Sequence, residues 1–183
     1  MRALSYVGFT QSHCYFPWRN TKDELEEYLP VTNGDDGYYQ HNTFWPTTPD
    51  ILTAYVRDNG VAGHCVRAVL AAMGSPSWGI YNGYELIENK QRPGFEEQID
   101  WSKAKQYGVA EMLTALNKIR RAHPAALSYH NLTVLPTSDP NILAFARHTP
   151  AELTGTGQAD TLIVVVNLDG HNAHQSMIHL ELS

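Results

Sequence analysis

The sequence has few cysteines, few basic residues and no long apolar run, and each shortage excludes a class of protein. Its two cysteines, Cys14 and Cys65, lie far apart among 183 residues, which favours reduced thiols in a cytoplasmic protein over a disulfide framework or a zinc site. With 13 basic against 19 acidic residues, no basic surface for a nucleic acid is expected. The longest apolar run, residues 162–166, has the length of a strand, so we expect neither a signal peptide nor a membrane association.

The first two thirds of the chain alternate between strand and helix patterns. With 43% hydrophobic and 17% charged residues, the chain can bury a sizeable core. Predicted strands lie at Gly8–Phe16, around Phe44–Trp45 and at residues 77–81. Helical patterns follow each strand. The first opens with a capping box formed by Thr21 and Glu24, the second follows Asp50, and the third has one apolar face, made of Val109, Met112, Leu113, Leu116 and Ile119.

The last third changes character. The segments "NLTVL", "ILAFARH", "TLIVVVNL" and "MIHLEL" are strand patterns without intervening helices, separated by turn-rich stretches, which is typical of an antiparallel sheet. We therefore expect two domains, an α/β unit over residues 1–125 and an all-β unit over residues 126–183.

Three strand-helix units are too few for a parallel sheet that stands alone, because such sheets need both faces covered and their edges protected. A closed barrel of eight units needs roughly 200 residues or more. If these units belong to such a barrel, the chain contains only its last part.

Five stretches carry a family resemblance: "VGFTQSHCYFPWRNTK", "FWPTTPDIL", "RAVLAAMGSPSWGIYNGYELIEN", "LNKIRRAHPAAL" and "TLIVVVNLDGHNAHQSMIHLEL". They resemble consecutive late segments of the bacterial alpha-1,4-glucan:maltose-1-phosphate maltosyltransferases of the α-amylase superfamily (glycoside hydrolase family 13). The resemblance implies the last three strand-helix units of a (β/α)8 TIM barrel, followed by part of an antiparallel β-sandwich. It also implies a fragment cut at both ends, since no segment resembles the family's nucleophile or general acid.

The resemblance implies the chemistry as well. The full-length parent would be a glycosyltransferase that moves maltosyl units from maltose 1-phosphate to the non-reducing end of an α-1,4-glucan, with retention of configuration. Asp50 matches the third carboxylate of the family, which follows strand seven and stabilises the transition state by holding sugar hydroxyls. From local sequence alone, an Asp after a proline and before "ILTAYV" is typical of a helix N-cap.

Six further residues are candidates for substrate binding, each with a structural alternative. Trp45 and Tyr84 could stack on sugar rings, although aromatic residues near strands are more often core. Glu85 resembles an acid that shapes the sugar pocket, or is a solvated loop acid. Lys103, or Lys105 with Tyr107, resembles the family's donor-phosphate site, whereas a solvated lysine-rich loop is the alternative.

The remaining expectations concern partners and cofactors. The substrates would be maltose 1-phosphate and α-1,4-glucan, with no metal or organic cofactor, and we expect a homodimer for the full-length parent. The fragment alone should be inactive, because glycoside chemistry needs a pair of carboxylates. Alternatives are another α-amylase-family glycosidase, a trehalose synthase, or a non-catalytic glucan-binding remnant.

Overall fold

A computed structural model describes residues 2–48, 50–87, 100–102 and 109–180 of the chain. It is a small α/β structure with two small sheets. The helices are α1 (Arg2–Ser5), α2 (Lys22–Asn33), α3 (Ala54–Gly74) and α4 (Val109–Ala122), and the strands are β1 (Gln11–His13), β2 (His41–Phe44), β3 (Ser77–Trp78), β4 (Leu132–Leu135), β5 (Ile142–Thr149) and β6 (Asp160–Asn167).

The first sheet is parallel, in the order β1-β2-β3. Helix α2 connects β1 to β2, and helix α3 connects β2 to β3. The capping box predicted for α2 is confirmed: Thr21 accepts a hydrogen bond from the Glu24 amide, and the Glu24 carboxylate accepts one from the Thr21 amide. The alternation of strand and helix in the sequence therefore gives the parallel connection that it predicts.

The second sheet is antiparallel, in the order β4-β5-β6. The fourth strand predicted for this region, "MIHLEL", forms only an isolated bridge between Thr137 and Ile178 as far as residue 180, where the described part ends. Residues of both sheets share one hydrophobic cluster, in which Phe44 and Ala68 of the α/β region join Phe145 and Val164 of the antiparallel sheet.

Several details differ from the sequence-based expectation. The first strand is shorter than predicted, because the chain turns into a 3-10 helix at Phe16–Trp18. Helix α3 is kinked at Gly60, whose positive φ of 51° favours glycine. In α4 the buried face ends on Arg120, whereas Ile119 is partly exposed. Among the residues that the structure describes, no helix combines the length and apolar content needed to cross a membrane.

Candidate functional site

One face of the parallel sheet is open and forms a pocket. Side chains alternate between the two faces of a strand, so Phe44 of β2 packs into the core while its neighbours Thr43 and Trp45 lie on the opposite side. These two side chains form part of the wall of an open pocket of about 540 Å³. It is lined by Gln11, Ser12, His13, Thr43, Trp45, Ser77, Trp78 and Gly79.

A row of polar side chains crosses this face. Gln11 Nε2 donates a hydrogen bond of 2.9 Å to Thr43 Oγ1, and Thr43 Oγ1 lies 2.9 Å from Ser77 Oγ. The three residues come from three different strands: the register pairs Thr43 with Ser77, whereas Gln11 lies two residues before His13, the partner of Thr43 on β1. The pocket therefore presents hydroxyl and amide groups, which can exchange hydrogen bonds with a polar ligand.

An aromatic pair lies next to this row at the carboxyl ends of the strands. The rings of His13 and Trp45 stack with centroids 5.8 Å apart. On β3's side, the indole lies against Gly79, where an added Cβ would come within 2.9 Å of the ring. Glycine is needed at position 79 because any larger residue would displace Trp45.

Asp50 lies in a tight turn after β2. The main chains of Thr48 and Ile51 pair in both directions across the turn, at 3.2 and 3.1 Å, and Thr48 Oγ1 donates a 2.7 Å hydrogen bond to Asp50 Oδ1. Because α3 begins at Ala54 with Thr53 in the N-cap position, the interpretation of Asp50 as the helix cap is wrong. The carboxylate is exposed and does not line the pocket described above.

Three buried polar atoms near Asp50 have no hydrogen-bond partner among the residues described. They are Trp45 Nε1, Thr47 Oγ1 and Thr53 Oγ1. Buried polar groups in folded proteins nearly always have a partner. Four further atoms of this kind lie elsewhere in the described residues, so residues 45–53 contain three of seven.

Of the other sequence candidates, neither Tyr84 nor Glu85 lines this pocket. Tyr84 is fully buried, and its hydroxyl donates a 2.5 Å hydrogen bond to the carbonyl of His64. Glu85 is half-buried in the following 3-10 turn. Three candidates for phosphate binding lie outside the described residues: Lys103, Lys105 and Tyr107.

A buried arginine positions the segment that follows β1. Arg67 of α3 is fully buried and donates hydrogen bonds to the carbonyls of Phe16 and Arg19, at 2.6 and 2.5 Å. Its guanidinium also lies 3.9 Å from the centroid of the Phe16 ring. Burial lowers the pKa of Arg67 to about 10, so the group stays charged at neutral pH.

Sequence patterns did not identify Gln11, His13, Thr43, Ser77 or Arg67. The one available signal was an arginine inside the apolar helical pattern "CVRAVLAAMG". Cys14 and Cys65 are free thiols, and burial raises the pKa of both, which disfavours the reactive thiolate form. Among the described residues, no group of three or more His, Cys, Asp or Glu side chains is arranged so that it could hold a metal ion.

Known proteins that share one name match the chain along its whole length. A family model described as "GLGE, C-terminal" matches residues 134–183. The chain is 95% identical to the alpha-1,4-glucan:maltose-1-phosphate maltosyltransferase of Bifidobacterium longum, 65% identical to that of Bifidobacterium animalis subsp. lactis and 46% identical to that of Arcanobacterium haemolyticum. These matches cover 100%, 99% and 100% of the chain but 26%, 26% and 28% of the relatives. The chain therefore spans about a quarter of the length of its curated relatives.

The first of these alignments contains more positions than the chain has residues. It extends over 193 positions and covers all 183 residues of the chain, so ten positions of the relative have no counterpart here.

Proposed function

Because this chain belongs by sequence to the family of alpha-1,4-glucan:maltose-1-phosphate maltosyltransferases, we propose that it is the C-terminal quarter of an enzyme that transfers maltosyl units. The donor would be maltose 1-phosphate, and the acceptor the non-reducing end of an α-1,4-glucan. The observation that carries this proposal is the high identity along the entire chain to proteins with that name.

The parallel sheet is proposed to be part of the wall of a (β/α)8 barrel in that enzyme. In such barrels, helices cover the outer face of the strands and the inner face points to the barrel axis. The core beneath α2 and α3 on one face, and the open polar face on the other, are consistent with this arrangement. On this proposal residues 1–125 contribute strands six to eight, and residues 126–183 begin a β-sandwich domain.

Asp50 is proposed to stabilise the transition state. A retaining mechanism also needs two other acidic residues. One carboxylate forms the covalent glycosyl-enzyme intermediate, and one carboxylic acid protonates the leaving group. Those two acids would belong to other parts of the enzyme. Asp50 follows the carboxyl end of β2, where barrel enzymes place their active sites, and its oxygens would accept hydrogen bonds from sugar hydroxyls.

The open face is proposed to contribute to sugar binding. Trp45 offers an aromatic surface, and the hydroxyls of Thr43 and Ser77 offer hydrogen bonds. Glu85 is kept as a candidate for shaping the pocket. Lys103, Lys105 and Tyr107 are kept as candidates for the donor phosphate, because a lysine ammonium can pair with phosphate oxygens.

The proposal is tested by incubating the full-length protein with maltose 1-phosphate and glycogen. We expect inorganic phosphate to be released while the glucan chains lengthen. Free maltose without chain growth would identify a hydrolase instead. In a separate incubation with maltose, conversion of maltose to trehalose would identify a trehalose synthase.

The same assay applied to this chain alone should show no transfer, because one carboxylate cannot replace the pair that the reaction requires. Glucan binding without turnover, measured by calorimetry with maltoheptaose, would agree with the sugar-binding face. Transfer by the isolated chain would contradict the proposed division of catalytic residues.

A further inference from the structure

A histidine bridges two carboxylates at the edge of the antiparallel sheet. His174 Nδ1 lies 3.0 Å from Asp139 Oδ2, and His174 Nε2 lies 3.0 Å from Asp169 Oδ2. The three side chains are about one-fifth exposed, at 19%, 20% and 20%. Both ring nitrogens therefore face an acceptor in a partly desolvated position.

Both carboxylate contacts are hydrogen bonds only when the imidazole is protonated, and Asn141 Nδ2 lies 3.5 Å from Nδ1 as a further neighbour. A neutral histidine has one N–H donor and one lone pair, whereas the imidazolium has two donors. The carboxylates are in turn fixed as acceptors: Asp139 accepts from the Asn141 amide at 2.7 Å, and Asp169 accepts from the amides of His171 and Asn172 at 2.8 and 3.2 Å. Removal of the ring proton would place a lone pair against one carboxylate.

The contacts of His174 with Asp139 and Asp169 join two segments of the chain, the 136–141 turn and the 167–174 loop. The turn is attached to α2, since Lys22 Nζ donates to the carbonyls of Thr137 and Asp139 at 3.2 and 3.1 Å. The Leu168 amide also donates to the Asn141 carbonyl at 2.7 Å, and Ser176 Oγ accepts from the amides of Ser138 and Asp139 at 2.9 and 3.1 Å. His174 is thus the titratable member of several contacts that connect the loop to the α2 side of the molecule.

The same loop holds the beginning of α3. Tyr55 Oη donates to the carbonyl of Leu168 at 2.7 Å, and the amide of Gly170 donates to Asn59 Oδ1 at 3.0 Å. Residues 54–59 form the short segment of α3 before the kink at Gly60. This segment directly follows the turn that contains Asp50.

We propose that His174 is a positioning residue that acts as a proton-dependent clamp. As the imidazolium it ties the 167–174 loop to the 136–141 turn, and the loop in turn fixes the first segment of α3 behind Asp50. Loss of the proton weakens the attachment of the loop and loosens that segment. The clamp itself does not depend on the proposed function. An effect of the clamp on maltosyl transfer, through the position of Asp50, rests on the proposed function.

The pH range of the clamp follows from the charges around it. The pKa of His174 is raised by its hydrogen bonds to Asp169 and Asp139. The pKa of Asp169 is lowered chiefly by His174, and that of Asp139 chiefly by the Asn141 amide. The ammonium of Lys22 also faces the turn, from α2.

A histidine with a raised folded pKa contributes stability that is complete below its unfolded value of about 6.5 and is lost as pH rises through the folded value. The two carboxylates contribute stability above their unfolded value of about 3.9, which is lost as pH falls through their folded values. The clamp is therefore complete between about pH 3.9 and 6.5 and is lost as pH rises through the raised folded pKa of His174.

Two measurements on this chain test the proposal. A nitrogen-15 titration of the imidazoles should show both nitrogens of His174 protonated at pH 6, with a titration midpoint above the ordinary histidine value of about 6.5. Hydrogen exchange of the Gly170 amide, corrected for intrinsic exchange, should lose roughly tenfold protection when the pH rises past that midpoint.

His174→Gln should show low Gly170 protection at every pH, and His171→Gln is the matched control on the same loop, since its side chain is exposed and its backbone hydrogen bond is retained. An unraised midpoint for His174, pH-independent protection in the unmodified chain, or equal effects of the two substitutions would each overturn the proposal. The titration needs no variant, so it decides the matter even if His174→Gln fails to fold.

Discussion

Three arginine side chains are buried and pair with main-chain carbonyls. Arg67 donates to the segment after β1, Arg120 donates to the carbonyls of Ser75 and Pro76, and Arg147 donates to that of Met73. All three are less than 10% exposed. Carbonyl oxygens at helix ends lack intrahelical partners, so the latter two cations stabilise the end of α3 and the start of β3.

Replacing Arg67 should therefore destabilise the fold. In Arg67→Met the carbonyls of Phe16 and Arg19 lose their donors, which we expect to cost about 2–4 kcal/mol in the free energy of unfolding. Urea denaturation followed by far-UV circular dichroism measures this. The control is Arg57→Met, because Arg57 is exposed and its loss should change the unfolding free energy by less than about 0.5 kcal/mol; equal midpoints for both variants would refute the assigned role.

The contact between Gly79 and Trp45 makes a second residue-level prediction. Gly79→Ala should displace the indole, since the new methyl would lie 2.9 Å from it, at a cost of about 1–3 kcal/mol. Trp45→Phe shortens the ring on that side, so the double variant should lose less stability than the sum of the two single variants. Strict additivity in urea denaturation would show that the contact does not exist in solution.

At the scale of elements, local signals predicted some boundaries and not others. The Thr21–Glu24 capping box marks the start of α2 in the sequence and in the structure. The proline-aspartate pattern predicts a helix N-cap at Asp50. Residues 48–51 form a turn there instead, and α3 begins four residues after Asp50. Sequence patterns record residue types, whereas the pairing of Thr48 with Ile51 depends on backbone geometry.

Thr21 should contribute measurably to the stability of α2. Thr21→Ala removes the side-chain acceptor for the Glu24 amide and should cost about 1 kcal/mol. Thr114→Ala is the matched control, since that hydroxyl bonds only to the preceding turn of α4 and caps no terminus. Thermal denaturation that lowers the melting temperature equally for both would contradict a capping role.

The candidate site was only partly predictable for a related reason. Trp45 was identified from its position before Asp50, yet Gln11, Thr43 and Ser77 form their row only through the register of three strands that are distant in sequence. Likewise, the apolar spacing of α4 favoured Ile119 for the core. The structure buries Arg120 there because carbonyls at the end of α3 satisfy its charge.

At the scale of the whole molecule, the two sheets form one structure rather than two independent units. Phe145 and Val164 of the antiparallel sheet share a hydrophobic cluster with Phe44 and Ala68, and Arg147 of β5 bonds to the end of α3. The division at residue 125 thus stays a prediction about the longer enzyme, as does its assembly as a homodimer.

Cooperative unfolding should follow from this shared core. We expect the chain to unfold in a single transition, because breaking either sheet exposes apolar surface of the other. Tryptophan fluorescence reports the first sheet, and amide exchange along β5 and β6 reports the second. Two well-separated transitions would show that the residues on either side of position 125 fold independently.

The catalytic assignment of Asp50 is tested most directly by Asp50→Asn in the full-length protein, with phosphate release from maltose 1-phosphate measured in the presence of glycogen. Loss of a transition-state interaction worth several kcal/mol predicts a decrease of roughly 10³-fold in turnover. Asp58→Asn is the matched control, since Asp58 is exposed, and it should leave turnover near its original value. Unchanged phosphate release after substitution at the Asp50 position would contradict the account.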